Sequence, residues 1–323
     1  MSASPTVLAL GELLIDFVPE QRGVTLAEAE TFLKAPGGAP ANVAVGVARL
    51  GIASGFIGKV GDDPFGHHLT QVLRDAGVDV SQVRYDDAAR TALAFVSLTA
   101  EGERDFMFYR HPSADMRHRP DEIDDDAIRA ASILHVGSIS LIGESSALAT
   151  RHAVRVAREA GVTVSYDPNL RLPLWPSAED AAVAIRSLLP HADVIKVSDE
   201  EVRFLTGSDD IAAARTLWHE GLSLLLVTRG EAGADYLLPD GHGSVSGFEV
   251  EIHDTTGAGD AFTAAVLAAL AASPDLPHDR AALEVAVRRA NAFAALTTTR
   301  PGAIPGMPTL ERLEEFLAER ASE

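Results

Sequence analysis

The feature that most restricts what this chain can fold into is an alternation of two kinds of segment. Short apolar, β-prone runs occupy Val7–Ile15, Phe56–Val60, Ile133–Val136, Val162–Tyr166, Val194–Val197 and Leu224–Thr228. Between them, apolar residues recur at helical spacing over Ala41–Leu50, Gly66–Ala76, Ser146–Ala160, Ala178–Leu189 and Ile211–Glu220. Strands that are apolar throughout have no face to give to water. They predict a mostly parallel central sheet covered by helices on both sides, a three-layer α/β/α sandwich.

Two stretches break this rhythm. Thr91–Thr99 and Arg104–Tyr109 are β-prone and separated by residues 100–103, which read as a hairpin turn rather than a crossover helix. Residues 20–35 lack a clear core pattern. A small β sheet standing off the main one is therefore expected, from insertions at about 17–35 and 88–118 of a single domain spanning 1–323. Such a flap suits a lid, because lids keep water from a reaction centre.

Charge and composition narrow the partners. With 47 acidic against 27 basic residues the formal charge is −20, the wrong sign for a nucleic-acid or anionic-membrane footprint. The absence of cysteine excludes disulfides, thiolate metal sites and a cysteine nucleophile. The apolar run from Val7 meets Glu12 and Asp16 too early for a signal peptide, and Ala261–Ala272 falls short of the roughly 18 residues that suggest a membrane span. A cytoplasmic protein is expected. The acidic stretch Asp121–Asp126 reads as a solvated helix start, lacking the glycine and terminal glutamate of a calcium loop.

The chemistry concentrates in Asp254-Thr-Thr-Gly-Ala-Gly-Asp-Ala-Phe262, which opens a nearly continuous apolar helix to Ala272. Gly257, Ala258 and Gly259 leave backbone bare at a helix start, where unpaired N–H groups and the helix dipole attract anions. Asp260 in the first turn is awkward beside an anion unless it receives a proton from an attacking hydroxyl, as in phosphoryl transfer. No Walker P-loop occurs, since Gly58-Lys59 is followed by Val60, and Phe262 stands where a dinucleotide turn needs its third glycine. A second glycine pair, in Pro36-Gly-Gly-Ala-Pro-Ala-Asn42, precedes another helix, and Asn42 offers a donor and an acceptor suited to a sugar hydroxyl. Asp16, just past the first strand, is a third candidate. The eleven histidines are scattered without metal-ligand spacing, and Trp175 and Trp218 read as packing residues.

Taken together, these blocks resemble the PfkB-type (ribokinase-like) carbohydrate kinases, closest to the fructokinase subgroup. The resemblance runs through Ala9-Leu-Gly-Glu-Leu-Leu-Ile-Asp-Phe17, Ala35–Ala44, Gly58–Gly66, Tyr166-Asp-Pro-Asn-Leu-Arg171 with Leu174-Trp175, Lys196–Glu201, Asp254–Phe262 and Arg300-Pro-Gly-Ala-Ile-Pro305. It implies a ribokinase-like fold and ATP-dependent, magnesium-requiring phosphorylation of a ketose, D-fructose to fructose 6-phosphate. The alternative is 2-keto-3-deoxygluconate or another sugar of the family; a non-catalytic sugar-binding relative is a weaker one.

The resemblance also implies roles. Asp260 would take the proton of the sugar hydroxyl, and the N–H groups of Gly257, Ala258 and Gly259 would receive the transferring phosphoryl. Asp16, Gly38 and Asn42 would hold the other hydroxyls, with Lys59 beside the sugar and Arg171 near sugar or phosphates. Lys196, Ser198, Thr228 and Gly230 would border the nucleotide, with Asn291 beside the adenine. Glu201 would organise Mg2+ through waters. The family has Asn where this chain has Ser198. Asp254, Thr256, Arg300 and Gly302 match the region of a monovalent cation, K+. Some relatives dimerise through the lid, and Phe95, Phe106 and Phe108 suit either that contact or cover for the sugar.

Elementary electrostatics bears on this reading. A charge of −20 repels ATP, so the site must supply local positive potential through a helix end, a metal and side chains such as Arg171 and Lys196. A keto-acid substrate would need one more cation, for which Arg104 or Arg110 on the flap are the candidates.

Overall fold

The computed structural model describes residues 5–21, 23–98 and 104–320. In chain order the first half forms β1 (Val7–Leu10), β2 (Leu14–Pro19), β3 (Phe32–Gly37), α1 (Ala39–Arg49), β4 (Ser54–Gly61), α2 (Pro64–Asp75), β5 (Asp79–Asp86), β6 (Leu93–Leu98), β7 (Arg104–Tyr109), α3 (Asp125–Ala130), β8 (Ile133–Gly137) and α4 (Glu144–Ala160). The second half forms β9 (Thr163–Asp167), α5 (Ala178–Leu188), β10 (Val194–Ser198), α6 (Asp199–Thr206), β11 (Leu224–Thr228), β12 (Ala234–Leu238), β13 (Gly241–Val245), α7 (Ala258–Ala272), α8 (Arg280–Thr297), α9 (Ala303–Gly306) and α10 (Leu310–Glu319).

The main sheet has nine strands in the order β13-β12-β11-β10-β9-β8-β1-β4-β5. From β11 to β5 neighbours pair in parallel, and β12 and β13 add an antiparallel edge. One core lies between this sheet and α1, α2, α7, α8 and α10; a second covers the opposite face, where α4, α5 and α6 pack. This is the expected three-layer sandwich. Apolar burial on both faces at roughly 25 cal/mol per Å² is what holds such a sheet together.

A second sheet, β3-β2-β6-β7, stands apart from the first. The apolar run Val7–Ile15 therefore divides: β1 lies at the heart of the main sheet and β2 starts the small one. The break falls at Gly11, where an added Cβ would meet the Pro40 ring at 2.5 Å. The small sheet has two faces. On one, Phe17 stacks on Phe95 at 4.9 Å, and Phe32 and Tyr109 meet Phe95 edge-on at 5.4 and 5.6 Å. On the other, Phe108 packs with Leu14, Ala92 and Ala94. Residues 100–103, expected as its hairpin turn, lie outside the described residues, as does the Phe106 side chain.

One expected helix is corrected. Residues 211–220 hold instead a 3-10 segment, Ile211–Leu217. Ile211, Ala214 and Leu217 face the core at a spacing of three, which suits three residues per turn, and Asp210 caps the start by accepting the Ala212 N–H at 2.9 Å. No described helix is long and apolar enough to cross a membrane.

Candidate active site

Residues at and just past the carboxyl ends of β9 and β10 line a cavity, the usual ligand position in parallel α/β sheets. Helix α7 points its first turn toward it. Gly257 caps that helix with φ +80°, and a side chain there would strike the Cβ of Ala303 at 2.4 Å. Only glycine satisfies both restrictions. Helix starts leave several N–H groups without intrahelical acceptors. Here the first closed bond runs from the Ala261 N–H to the Gly257 carbonyl at 2.8 Å. The Ala258 N–H departs from expectation: it turns back to the Thr255 carbonyl at 3.3 Å instead of standing ready for an anion. At Gly259 an added Cβ would lie 3.1 Å from the Lys196 ammonium, which places that cation beside the helix start.

Asp260 is buried in this first turn. Its Oδ2 accepts from the Asn42 side-chain amide at 2.8 Å and its Oδ1 from that of Asn169 at 3.0 Å. Burial pushes its pKa up to about 6, the Asn42 bond opposing and the Asp167 charge adding to the rise, while Arg171 and Lys196 pull it back. Asn42 arrives on α1, whose start is built by Gly38 at φ +111°, where a Cβ would lie 2.3 Å from the Glu12 carbonyl, and by Pro40 in the first turn. Glu12 accepts the Ala39 N–H at 2.9 Å and is held up to about 7 by burial. The Asn42 Oδ1 is buried without a partner among the described residues, an acceptor facing no protein donor.

Asn169 was not among the residues expected from the sequence. It is the one described residue other than glycine with a positive φ, +44°, and its N–H donates to Asp167 at 3.1 Å. The only local signal is the Asp-Pro-Asn spacing, and Asn tolerates left-handed backbone better than most residues.

Asp16 lies against Gly37, where a side chain would collide with its Oδ2 at 2.1 Å. Burial raises its pKa to about 7, Arg171 opposes the rise, and the charges of Asp260 and Asp254 add to it. Asp16, Asp260, Asp254 and Arg171 thus share one electrostatic neighbourhood. The Arg171 guanidinium also donates to the Leu170 carbonyl at 3.0 Å.

Behind them runs a buried ionic chain. Asp167 pairs with Lys196 at 3.1 Å and accepts from Thr263 at 3.1 Å. Burial alone would lower the Lys196 pKa, but Asp167, Glu201 and Asp260 more than compensate and raise it. The Glu201 carboxyl, raised by burial against the pull of Lys196, accepts the Leu170 and Ser198 N–H groups, both at 2.7 Å. Ser198 answers by accepting the Glu201 N–H at 3.1 Å, so the pair forms a capping box at the start of α6. Ser198 at the family's Asn position thereby orients Glu201. Among the described residues no group of three or more His, Asp and Glu side chains is preassembled for a metal. The donor set fits an ion that keeps its waters and arrives with a phosphate ligand, with Glu201 as an outer carboxylate.

Other expected residues fall as follows. Asp254 accepts from the Thr256 N–H at 2.9 Å, its hydroxyl at 2.6 Å and the Gly302 N–H at 2.7 Å, tying the α7 turn to the segment before α9. Its carboxylate is a brace between the two segments. The Arg300 carbonyl lies 3.2 Å from a Cβ built on Gly306. Thr228 ends β11 and donates to the Val197 carbonyl at 3.5 Å; Gly230 follows at φ +54°. Asn291 spends its amide on the carbonyls of Val245 and Ser246 at 3.0 and 3.1 Å, fastening α8 to the exit of β13. The Lys59 ammonium is buried between Asp86 at 3.1 Å and Glu122 at 2.8 Å, a pairing that holds the end of β4 to the segment before α3. A cavity of about 430 Å³ adjoins the Asp260 cluster, lined by Asn169, Arg171, Lys196, Ser198 and Glu201 among others.

The pattern of the pfkB family of carbohydrate kinases matches residues 4–310. The chain is 55% identical over 310 residues to Fructokinase-2 of Solanum lycopersicum, spanning 95% of this chain and 94% of that one. It is 53% identical over 313 residues to a probable fructokinase of Arabidopsis thaliana, 96% of each. Among solved structures, a fructokinase from Xylella fastidiosa with bound ATP superposes with a TM-score of 0.91 at 38% identity, covering 98% of this chain and 99% of that one. A fructokinase from Vibrio cholerae O395 in a form with fructose, ADP and calcium ion bound gives 0.87 at 37%, covering 98% and 100%.

Proposed function

Because the chain belongs to the pfkB family of carbohydrate kinases, we propose that it transfers the γ-phosphoryl group of ATP to D-fructose, yielding fructose 6-phosphate and ADP. The observation that carries the mechanism is Asp260 at the start of α7, with each carboxylate oxygen gripped by one Asn amide. Two amide donors favour the ionised form against the burial that disfavours it, so the carboxylate is available near neutral pH.

The sugar lies between Asp16, Gly38 and Asn42, with the orphan Asn42 Oδ1 taking a hydroxyl hydrogen. The 6-hydroxyl faces Asp260. Its oxygen attacks the γ-phosphorus as the bond to the bridging oxygen of ADP breaks, and its proton passes to Asp260 and from there to solvent. The transition state is loose, so Asp260 mainly orients the nucleophile and takes the proton late. Charge on the transferring group falls on the Gly257 and Gly259 end of α7 and on Lys196, with Arg171 nearby. Thr228, Gly230 and Asn291 border the nucleotide. Mg2+ held through waters by Glu201 would neutralise the phosphates, and K+ would sit at the Asp254–Gly302 region.

The chain acts as a single domain in which β2, β3, β6 and β7 form a lid over the sugar. Phe108 faces inward, and the aromatic face around Phe95, with Met107 and Tyr109 exposed, makes the contact of a homodimer. An enzyme that consumes ATP and has no cysteine suits the cytoplasm.

Turnover of fructose and of 2-keto-3-deoxygluconate, compared through ADP release, tests this reading. Fructose is the expected substrate, and preference for the acid would overturn it. Asp260→Asn should cut kcat by at least about 10²-fold, the scale of removing a general base; unchanged turnover would point to a different chemistry.

A further inference from the structure

Arg110, on the flap, was one cation that an acid substrate could have used. It lies two residues beyond Phe108, which pairs with Ala94, itself opposite Asp16, so it leaves the small sheet on the Asp16 side. Its guanidinium is 2% exposed, donates to the Ile139 carbonyl at 3.2 Å just past β8, and is felt electrostatically by Glu12 just past β1. Glu12 holds the first residue of α1, next to Gly38 and three before Asn42. Arg110 therefore stands at the carboxyl edge of the sheet, beside the sugar-holding segment.

Its charge is nevertheless spent. Nε donates to the Asp115 Oδ2 at 2.8 Å, the pair is buried on both sides, and Ser113 hydrogen-bonds the other Asp115 oxygen. A buried guanidinium without its partner is costly, and a planar fork that has lost one carboxylate is well made to take another.

We propose that Asp115 is a specificity-determining residue. By occupying Arg110 it withholds from a substrate carboxylate the flap cation that would have to be added to Arg171, so the site takes an uncharged ketose and rejects a 2-keto-3-deoxy sugar acid. Specificity then rests on an attraction withheld from the acid as much as on contacts with fructose. This deepens the fructose assignment and depends on it.

The test compares kcat/KM for D-fructose and 2-keto-3-deoxygluconate in the wild type, Asp115→Asn, Asp115→Ser and Asp115→Glu. The fructose-to-acid ratio is expected to fall at least about tenfold in the Asn and Ser variants, since they free the Arg110 guanidinium for a substrate carboxylate, and to hold in Asp115→Glu. Adding Arg110→Met to Asp115→Asn should abolish the gain. An unchanged ratio in whichever neutral variant folds overturns the proposal. The wild type gives an arm that needs no variant: 2-keto-3-deoxygluconate should inhibit fructose phosphorylation only weakly, and a Ki equal to the KM for fructose overturns the proposal. A wild type inactive on fructose, or preferring the acid, would instead sink the functional reading beneath it.

Discussion

Asn169 and Asp260 are 91 residues apart in sequence, yet the amide of one donates to the carboxylate of the other at 3.0 Å. The Asn169 backbone is left-handed there, with its N–H anchored to Asp167. Asn169→Gly separates conformation from contact, because glycine takes this φ freely while offering no amide. A bond to a charged group contributes about 1.5–3 kcal/mol, so kcat should fall about tenfold or more. The acid limb of its pH profile should move to higher pH, because the lost bond favoured the carboxylate. A lowered kcat with an unmoved limb would mean that Asn169 does not tune Asp260.

Activity of the wild type should decline on the acid side far above the ordinary carboxylate range. In the proposed mechanism Asp260 works only when ionised, and burial puts its pKa at about 6 and that of Asp16 at about 7. As pH falls through 7 and 6 both take up protons, the first losing its power to accept one and the second its charge for the sugar hydroxyls. The measurement is kcat/KM for fructose from pH 5 to 8; a plateau extending to pH 5 would contradict it.

The same burial predicts an exchange of stability against binding at Asp16. Its folded pKa lies above its unfolded value of 3.8, so the folded state holds the proton more tightly. Stability contributed by this group is full below pH 4 and is lost as pH rises through 7. Asp16→Asn removes the titration. Its Tm should exceed that of the wild type clearly at pH 8 and only slightly at pH 5, while affinity for fructose drops. Equal shifts at both pH values in thermal melts would count against a buried, reluctant charge.

Metal dependence follows from Glu201. Chelation of divalent ions should stop turnover, since ATP otherwise meets a strongly anionic protein. Glu201→Ala also frees the Leu170 and Ser198 N–H groups, and the concentration of Mg2+ giving half-maximal rate should rise about ten- to a hundredfold, the usual cost of losing an outer partner. Titration of Mg2+ against rate in both proteins decides it.

Local patterns in the sequence make much of this legible. The strand–helix alternation conveys the layered sheet, and glycine pairs before helices point to Gly38, Asn42, Gly257 and Asp260, of which Asn42 and Asp260 meet through a 2.8 Å hydrogen bond. What escaped depended on partners distant in sequence. Lys59 has its charge taken by Glu122, 63 residues on, and nothing in its own neighbourhood announces that. Asn169 matters through a left-handed turn that a one-residue code hardly signals. The 3-10 segment at Ile211–Leu217 was hidden because apolar residues three apart satisfy a helical pattern as well. The return of the Ala258 amide to the Thr255 carbonyl is set by one turn's dihedrals, which residue types alone do not announce.

The contact of Gly257 with Ala303, together with the Asp254 brace on Gly302, ties the turn before α7 to a segment 48 residues further along. Closing a loop of that length costs entropy that contacts elsewhere must offset. The α7 turn therefore owes its far wall to tertiary assembly, and a change that loosens the Gly302 segment reaches the start of α7 without touching it in sequence.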